Sequence, residues 1–211
     1  KGIWEDLGDI EFAGEVAVEN FKKIKTFVKD VLVSDQKLVS LGGDHSVSWP
    51  ILDAHLDIWD ALDILHIDAH PDLYDSLLGN KLSHASPFAR IMETGRASRL
   101  VQVGIRTLNK HQREQAEKFG VEIYQMKDLS KLSSLSFSKP VYCSIDIDAL
   151  DPAYAPGVSH FEPGGLSTRQ LIDCLNGFKG RLIGADIVEY NPKRDFHNFT
   201  AMVAAKLLKE V

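Results

Sequence analysis

The chain has 211 residues, 44% hydrophobic and 26% charged, with a formal net charge of −6. Such a balance fits one globular domain and leaves no basic field to attract nucleic acid or an anionic membrane. No apolar run approaches the ~18–20 residues of a membrane-spanning helix, and the only two cysteines, Cys143 and Cys174, are too few for a disulfide framework.

Along the chain, strand-like and helical patterns alternate. Residues 15–33 place Val16, Phe21, Ile24, Phe27, Val28, Val31 and Leu32 mostly three or four apart, which predicts an amphipathic helix. Residues 37–42 read as a buried strand and 47–60 as a helix, with Pro50 confined to its first turn. A strand over 63–67, a helix over 84–95, a strand over 99–105 and a helix over 110–119 follow, the last stopped by Gly120. Strands are expected over 121–126, 140–145 and 181–190, and helices over 168–178 and 199–211, with Ser167 as an N-cap. Continuous apolar strands alternating with helices predict a parallel sheet covered on both faces. No linker or repeat divides the chain, so a single domain is expected over 1–211.

Chemistry in such a sheet belongs beyond the carboxyl ends of its strands. Three predicted strands run directly into acids and imidazoles. Residues 42–46 are GGDHS, with His45; residues 68–72 are DAHPD, with Asp68, His70 and Asp72; residues 144–151 are SIDIDALD, with Asp146 and Asp148. Residues two apart on a strand share a face, so Asp68, His70 and Asp72 would point into one crevice if the chain stays extended, as would Asp146 and Asp148. Each motif alone has an ordinary reading, since Asp favours turns and caps. Together they assemble two imidazoles and four carboxylates, and four clustered carboxylates repel one another unless cations neutralise them. Two divalent ions would do so, one imidazole to each with carboxylates bridging. This oxygen-rich donor set suits Mn²⁺ better than structural Zn²⁺. Of the remaining histidines, His55 and His66 read as packing residues and His111 and His197 as exposed. The basic cluster Lys22, Lys23 and Lys25 reads as a solvated helix face.

The three motifs closely resemble the signatures of the ureohydrolases, the family of arginase, agmatinase and their relatives. The stretches GNKLSHAS (79–86), QVGIR (102–106), PGVSHFEPGGLS (156–167) and TAMVAAKLL (200–208) are most similar to its plant-type arginase branch. The resemblance implies a three-layer α/β/α fold with a doubly wound, mainly parallel sheet. It also implies two Mn²⁺ per chain, held by His45, Asp68, His70, Asp72, Asp146 and Asp148. By the same resemblance His84 shuttles protons at the mouth of the site and Glu189, in VEYNP, holds the substrate guanidinium; the chemistry of a metal-activated water adds that Asp148 or its neighbour accepts a proton while ligated. The implied reaction is hydrolysis of a guanidino group to urea, with L-arginine giving L-ornithine. Agmatine or another guanidino compound is the alternative substrate, and a non-catalytic metal-binding homologue is the alternative of another class. A phosphate-ester or amide hydrolase would need cations at the crevice, for which only Arg106 stands out.

The chain departs from animal-type arginases where the far end of the substrate is read. Thr107 and Asn109 replace carboxylates that receive the α-amino group, Tyr74 replaces an asparagine that reaches the α-carboxylate, and Val158-Ser159-His160 replaces T-G-T. Tyr74, Asn109 and His160 are therefore the expected substrate contacts beside Glu189 and His84. Family chains extend further at the N-terminus, so this one is expected to lack the first strand. Family analogy further implies a homotrimer or homohexamer. The expected location is cytoplasmic, or mitochondrial if a preceding segment carries a transit peptide.

Overall fold

Leu62–Ile67 (β2) is a strand whose six residues are all buried. Burial on both faces requires a covering layer on each side, and the computed structural model supplies both. It describes residues 4–12, 16–32 and 36–211, apart from the side chains of 131–134. β2 pairs with Ala97–Ile105 (β3) on one side and Val141–Asp146 (β5) on the other. Leu38–Leu41 (β1), Glu122–Gln125 (β4) and Leu182–Val188 (β6) complete a six-stranded sheet of order β1-β6-β5-β2-β3-β4. Every pairing is parallel, where a mainly parallel sheet was expected.

Alternation along the strands sorts the core. Ile64, Leu100 and Tyr142 face a cluster with α1 (Ala17–Val31), α2 (Ser48–Ile58), α3 (Pro87–Glu93) and α4 (Lys110–Phe119). Their neighbours Leu65, Val101 and Cys143 face the opposite cluster with α5 (Thr168–Gly177) and α6 (Phe199–Glu210). The fold is thus three-layer α/β/α and doubly wound. Ser167 caps α5 with the full reciprocal box, its side chain and that of Gln170 each bonding the other's backbone N–H. Gly120 ends α4 in the left-handed conformation.

Most predicted elements come out a residue or more shorter, and three of them matter most here. The helix expected over 84–95 spans Pro87–Glu93, because Pro87 occupies its first turn and holds Ser86 outside the helical region. His84 is therefore in a turn. The strand expected over 181–190 ends at Val188, and Glu189 adopts a left-handed φ of 65°. The helix expected over 15–33 is Ala17–Val31, with positions 15 and 33 outside the described residues. Among the described residues no helix is long and apolar enough to cross a membrane.

Candidate metal centre

The chain leaves β2 toward α3 on one face and β5 toward α5 on the other, so a crevice opens between two adjacent strand ends. This is the topological switch point, where open α/β sheets bind ligands. Asp68 follows β2, Asp146 is the last residue of β5, and Asp148 sits in the 3₁₀ turn Ile147–Ala149. His45 arrives from β1 through Gly42 and Gly43, both at positive φ. A Cβ on Gly43 would lie 2.8 Å from Val47 Cγ1, so only glycine makes this turn without strain.

Asp68, His70 and Asp72 do converge, but not by strand alternation. The strand stops at Ile67, and Asp72 has a φ of 50°. A folded loop aims them, stitched by the His70 N–H donating to Asp68 Oδ1 at 2.6 Å and the Ala69 N–H donating to Asp148 Oδ1 at 3.3 Å. Asp146 and Asp148 likewise converge through a turn, with the Asp148 N–H donating to Asp146 Oδ1 at 2.7 Å.

His45 Nδ1 lies 3.1 Å from Asp68 Oδ2, 3.1 Å from Asp72 Oδ2 and 3.3 Å from Asp146 Oδ2. His70 Nδ1 lies 3.5 Å from Asp68 Oδ1 and 3.1 Å from Asp148 Oδ2. Asp68 thus turns one oxygen toward each imidazole. His45 Nδ1 is buried and, despite three oxygens nearby, none is aligned to accept its hydrogen. Among the described residues, His45, His66 and Asp68, and Asp68, His70 and Asp148, each bring ligand atoms close enough together to hold an ion, and nitrogen with carboxylate oxygen is a donor set for a divalent cation. The six residues fit such ions.

The electrostatics carry the same strain. Burial, then repulsion from Asp148 and Asp68, drives Asp146 well above the usual carboxylate range. Burial and Asp68 push Asp148 up to about 7 against the pull of His70. Burial alone would lower His45, yet Asp146, Asp68 and Asp72 hold it well above an ordinary histidine. Burial opposes the charge on His70 too, but Asp148 and Asp68 raise it to about 12. Crowded acids thus raise one another and both imidazoles, a burden that metal cations would take over.

His66, read as a packing residue, is fully buried but also a neighbour of the site: its Nε2 is 2.8 Å from Asp68 Oδ2. Gln102 donates from Nε2 to the Pro71 carbonyl at 2.6 Å and lies 3.0 Å from His66 Nδ1. That amide nitrogen must donate to a carbonyl, so it also donates to Nδ1. The His66 proton is therefore on Nε2 and faces Asp68. The signal in the sequence was the polar pair His66 and Gln102 inside apolar strands, but the strand pairing that joins them was not visible.

A cavity of about 390 Å³ opens over the crevice, and His70, Asp72, Tyr74, His84, Asn109, Asp146, Asp148, His160 and Glu189 all reach its wall. Glu189 accepts from the His45 backbone N–H at 2.9 Å. Burial raises its pKa, and the hydrogen bond from His45 lowers it. The rings of His84 and His160 stack at 5.7 Å and 21°. Asn109 is committed at both ends of its amide: Oδ1 accepts from the Gln112 N–H at 2.9 Å to cap α4, and Nδ2 donates to the Tyr74 hydroxyl. Tyr74 also stacks on His111, which pairs with Asp75 at 3.1 Å and so is less free than its polar setting implied. Arg106 is not a crevice cation. Its guanidinium donates to the carbonyls of Gly104, Asp148, Ala149, Leu150 and Glu162.

The Arginase family model matches residues 3–211. The chain belongs to the arginase family. It is 49% identical over 224 residues to Arginase 2, chloroplastic/mitochondrial, of Arabidopsis thaliana, covering 99% of this chain and 65% of that protein. It is 34% identical over 212 residues to an agmatinase of Bacillus cereus, covering 98% of this chain and 73% of that protein. Among solved structures, an arginase from Medicago truncatula superposes with a TM-score of 0.87 at 50% identity, over 92% of this chain and 64% of that one. The chain therefore spans about two thirds of the length of the plant arginases it matches.

Proposed function

We propose that this arginase-family chain is a binuclear Mn²⁺ hydrolase that cleaves a guanidino group to release urea, with L-arginine giving L-ornithine. The observation that carries it is the convergence of two imidazoles and four carboxylates on a crevice whose wall also presents Glu189. His45, Asp72 and Asp146 would hold one ion, His70 and Asp148 the other, and Asp68 both. When bound, the ions supply water acidified enough to act as a nucleophile near neutral pH. Glu189, fixed by the His45 N–H, accepts charge-assisted hydrogen bonds from the planar guanidinium and orients its carbon toward the crevice. Asp148 takes up the proton released by the attacking water. His84, half-buried at the wall, passes a proton to the departing amine.

One observation favours agmatine as the second reading. Among the described residues no Lys or Arg lines the cavity, so an α-carboxylate there would meet neutral donors and histidines such as His160. Urea release with Mn²⁺ and arginine, beside agmatine and guanidinobutyrate, tests both. Urea from none of them, in a metal-loaded chain, would leave the non-catalytic homologue as the reading. The organelle names of the plant relatives favour a mitochondrial over a cytoplasmic setting. Assembly into trimers or hexamers belongs to the same reading, and light scattering tests it.

A further inference from the structure

Behind His45 lies a chain of buried hydroxyls that ends on a carboxylate with no metal-facing role. His45 Nε2 is 3.0 Å from Ser144 Oγ, Ser144 Oγ is 2.6 Å from Asp186 Oδ1, and the Tyr142 hydroxyl is 2.8 Å from Asp186 Oδ2. All four residues are fully buried. Asp186 sits inside β6, two residues short of the strand end, with Tyr142 and Ser144 beside it on β5.

The hydrogen-bond directions follow from which groups can donate. Tyr142 and Ser144 each donate their hydroxyl hydrogen to an Asp186 oxygen. Burial and Asp186 both hold the Tyr142 phenol well above its ordinary pKa, so it remains a donor. Ser144 then has lone pairs left and no hydrogen, and can only accept from His45 Nε2–H. A proton held on Nε2 leaves the Nδ1 lone pair free, and Nδ1 is the atom aimed at Asp68, Asp72 and Asp146.

We infer that Ser144 and Asp186 are positioning residues that fix the tautomer and direction of His45 for the ion on its side of the crevice. The inference rests on the metal reading above and deepens it. A carboxylate two bonds behind an imidazole both orients the ring and raises its strength as a ligand. Here the carboxylate acts through Ser144, its register partner on the neighbouring strand. Behind His70, among the described residues, the carboxylate of Glu162 lies 3.6 Å from Nε2, beyond hydrogen-bond distance.

Stepwise Mn²⁺ binding to the metal-free whole chain, measured by titration calorimetry, tests this. In Ser144→Ala and Asp186→Asn one of the two binding steps is expected to weaken ~10–100-fold, with the other within about threefold. Ser144→Thr, which keeps the hydroxyl, is expected to restore the weakened step. If Asp186→Asn fails to fold, Ser144→Ala decides alone, its folding read by circular dichroism. Two unchanged steps in Ser144→Ala, or equal weakening of both, would overturn the assignment. An unaltered chain that binds no Mn²⁺ would overturn the metal reading itself.

Discussion

The two imidazoles of the crevice make the same approach from opposite environments. Each aims Nδ1 at Asp68, but the His45 side chain is 1% exposed and that of His70 is 26% exposed. His45 stands against Ser144 and the sheet interior, whereas His70 opens on the cavity and on Glu162, itself 34% exposed. In the closed half, misplaced groups find no water to satisfy them, so each hydrogen bond must be met by the protein. In the open half, solvent can replace a lost partner. Equal substitutions should therefore have unequal effects.

The largest expected effect removes the group common to both halves. Asp68→Ala should abolish tight binding of both ions, a loss beyond the ~10–100-fold that a residue behind the ligands produces. Equilibrium dialysis with metal analysis checks it, and retention of one tightly held ion would show that the halves do not share Asp68.

A second contrast sets His45 against His55, also fully buried, whose titration is shifted by burial and a backbone carbonyl. His55 donates from Nδ1 to the Ile51 carbonyl at 2.9 Å, packs edge-on against Tyr142, and leaves Nε2 unpartnered. Burial lowers its pKa to about 4, and the Ile51 contact offsets this only in part. Its folded-state pKa lies below the unfolded value near 6.5, so the unfolded chain binds the proton more readily. Stability should fall as pH drops through 6.5 toward 4, by about 3 kcal/mol from this group. The pH dependence of denaturant unfolding, wild type minus His55→Leu, isolates it, and a flat difference would refute it.

Glu189 lies between the halves and is assigned to the substrate. Glu189→Gln should leave both metal steps intact and lower kcat/KM by roughly 10–100-fold, the worth of a charge-assisted hydrogen bond. Steady-state kinetics beside calorimetry separate the two effects. The smallest change is expected at Glu162→Gln, in the open half. Partial exposure screens its contact with His70, so both Mn²⁺ affinities should shift by less than about fivefold. A loss as large as that of Ser144→Ala would erase the distinction between the halves.

The sequence alone determined the elements and the ligand types. The short, mostly apolar runs read as strands over 63–67 and 140–145 are the buried strands Leu62–Ile67 and Val141–Asp146, and acids and imidazoles placed directly after parallel strands gather at one end of the sheet. Those properties depend on local pattern and strand polarity. The way the ligands converge was decided by tertiary structure. Period-two alternation was the wrong reason for Asp68, His70 and Asp72, since a left-handed turn at Asp72, the Ala69 N–H bond to Asp148 and the His70 N–H bond to Asp68 set their direction. The helix before which His84 lies was shortened by Pro87, whose restriction is local but whose consequence for the site is not. His66 with Gln102 and Ser144 with Asp186 were unreadable for a related reason. Each pair is far apart in sequence and meets only through strand register, and a polar residue within an apolar strand declares no partner until its neighbouring strand is known.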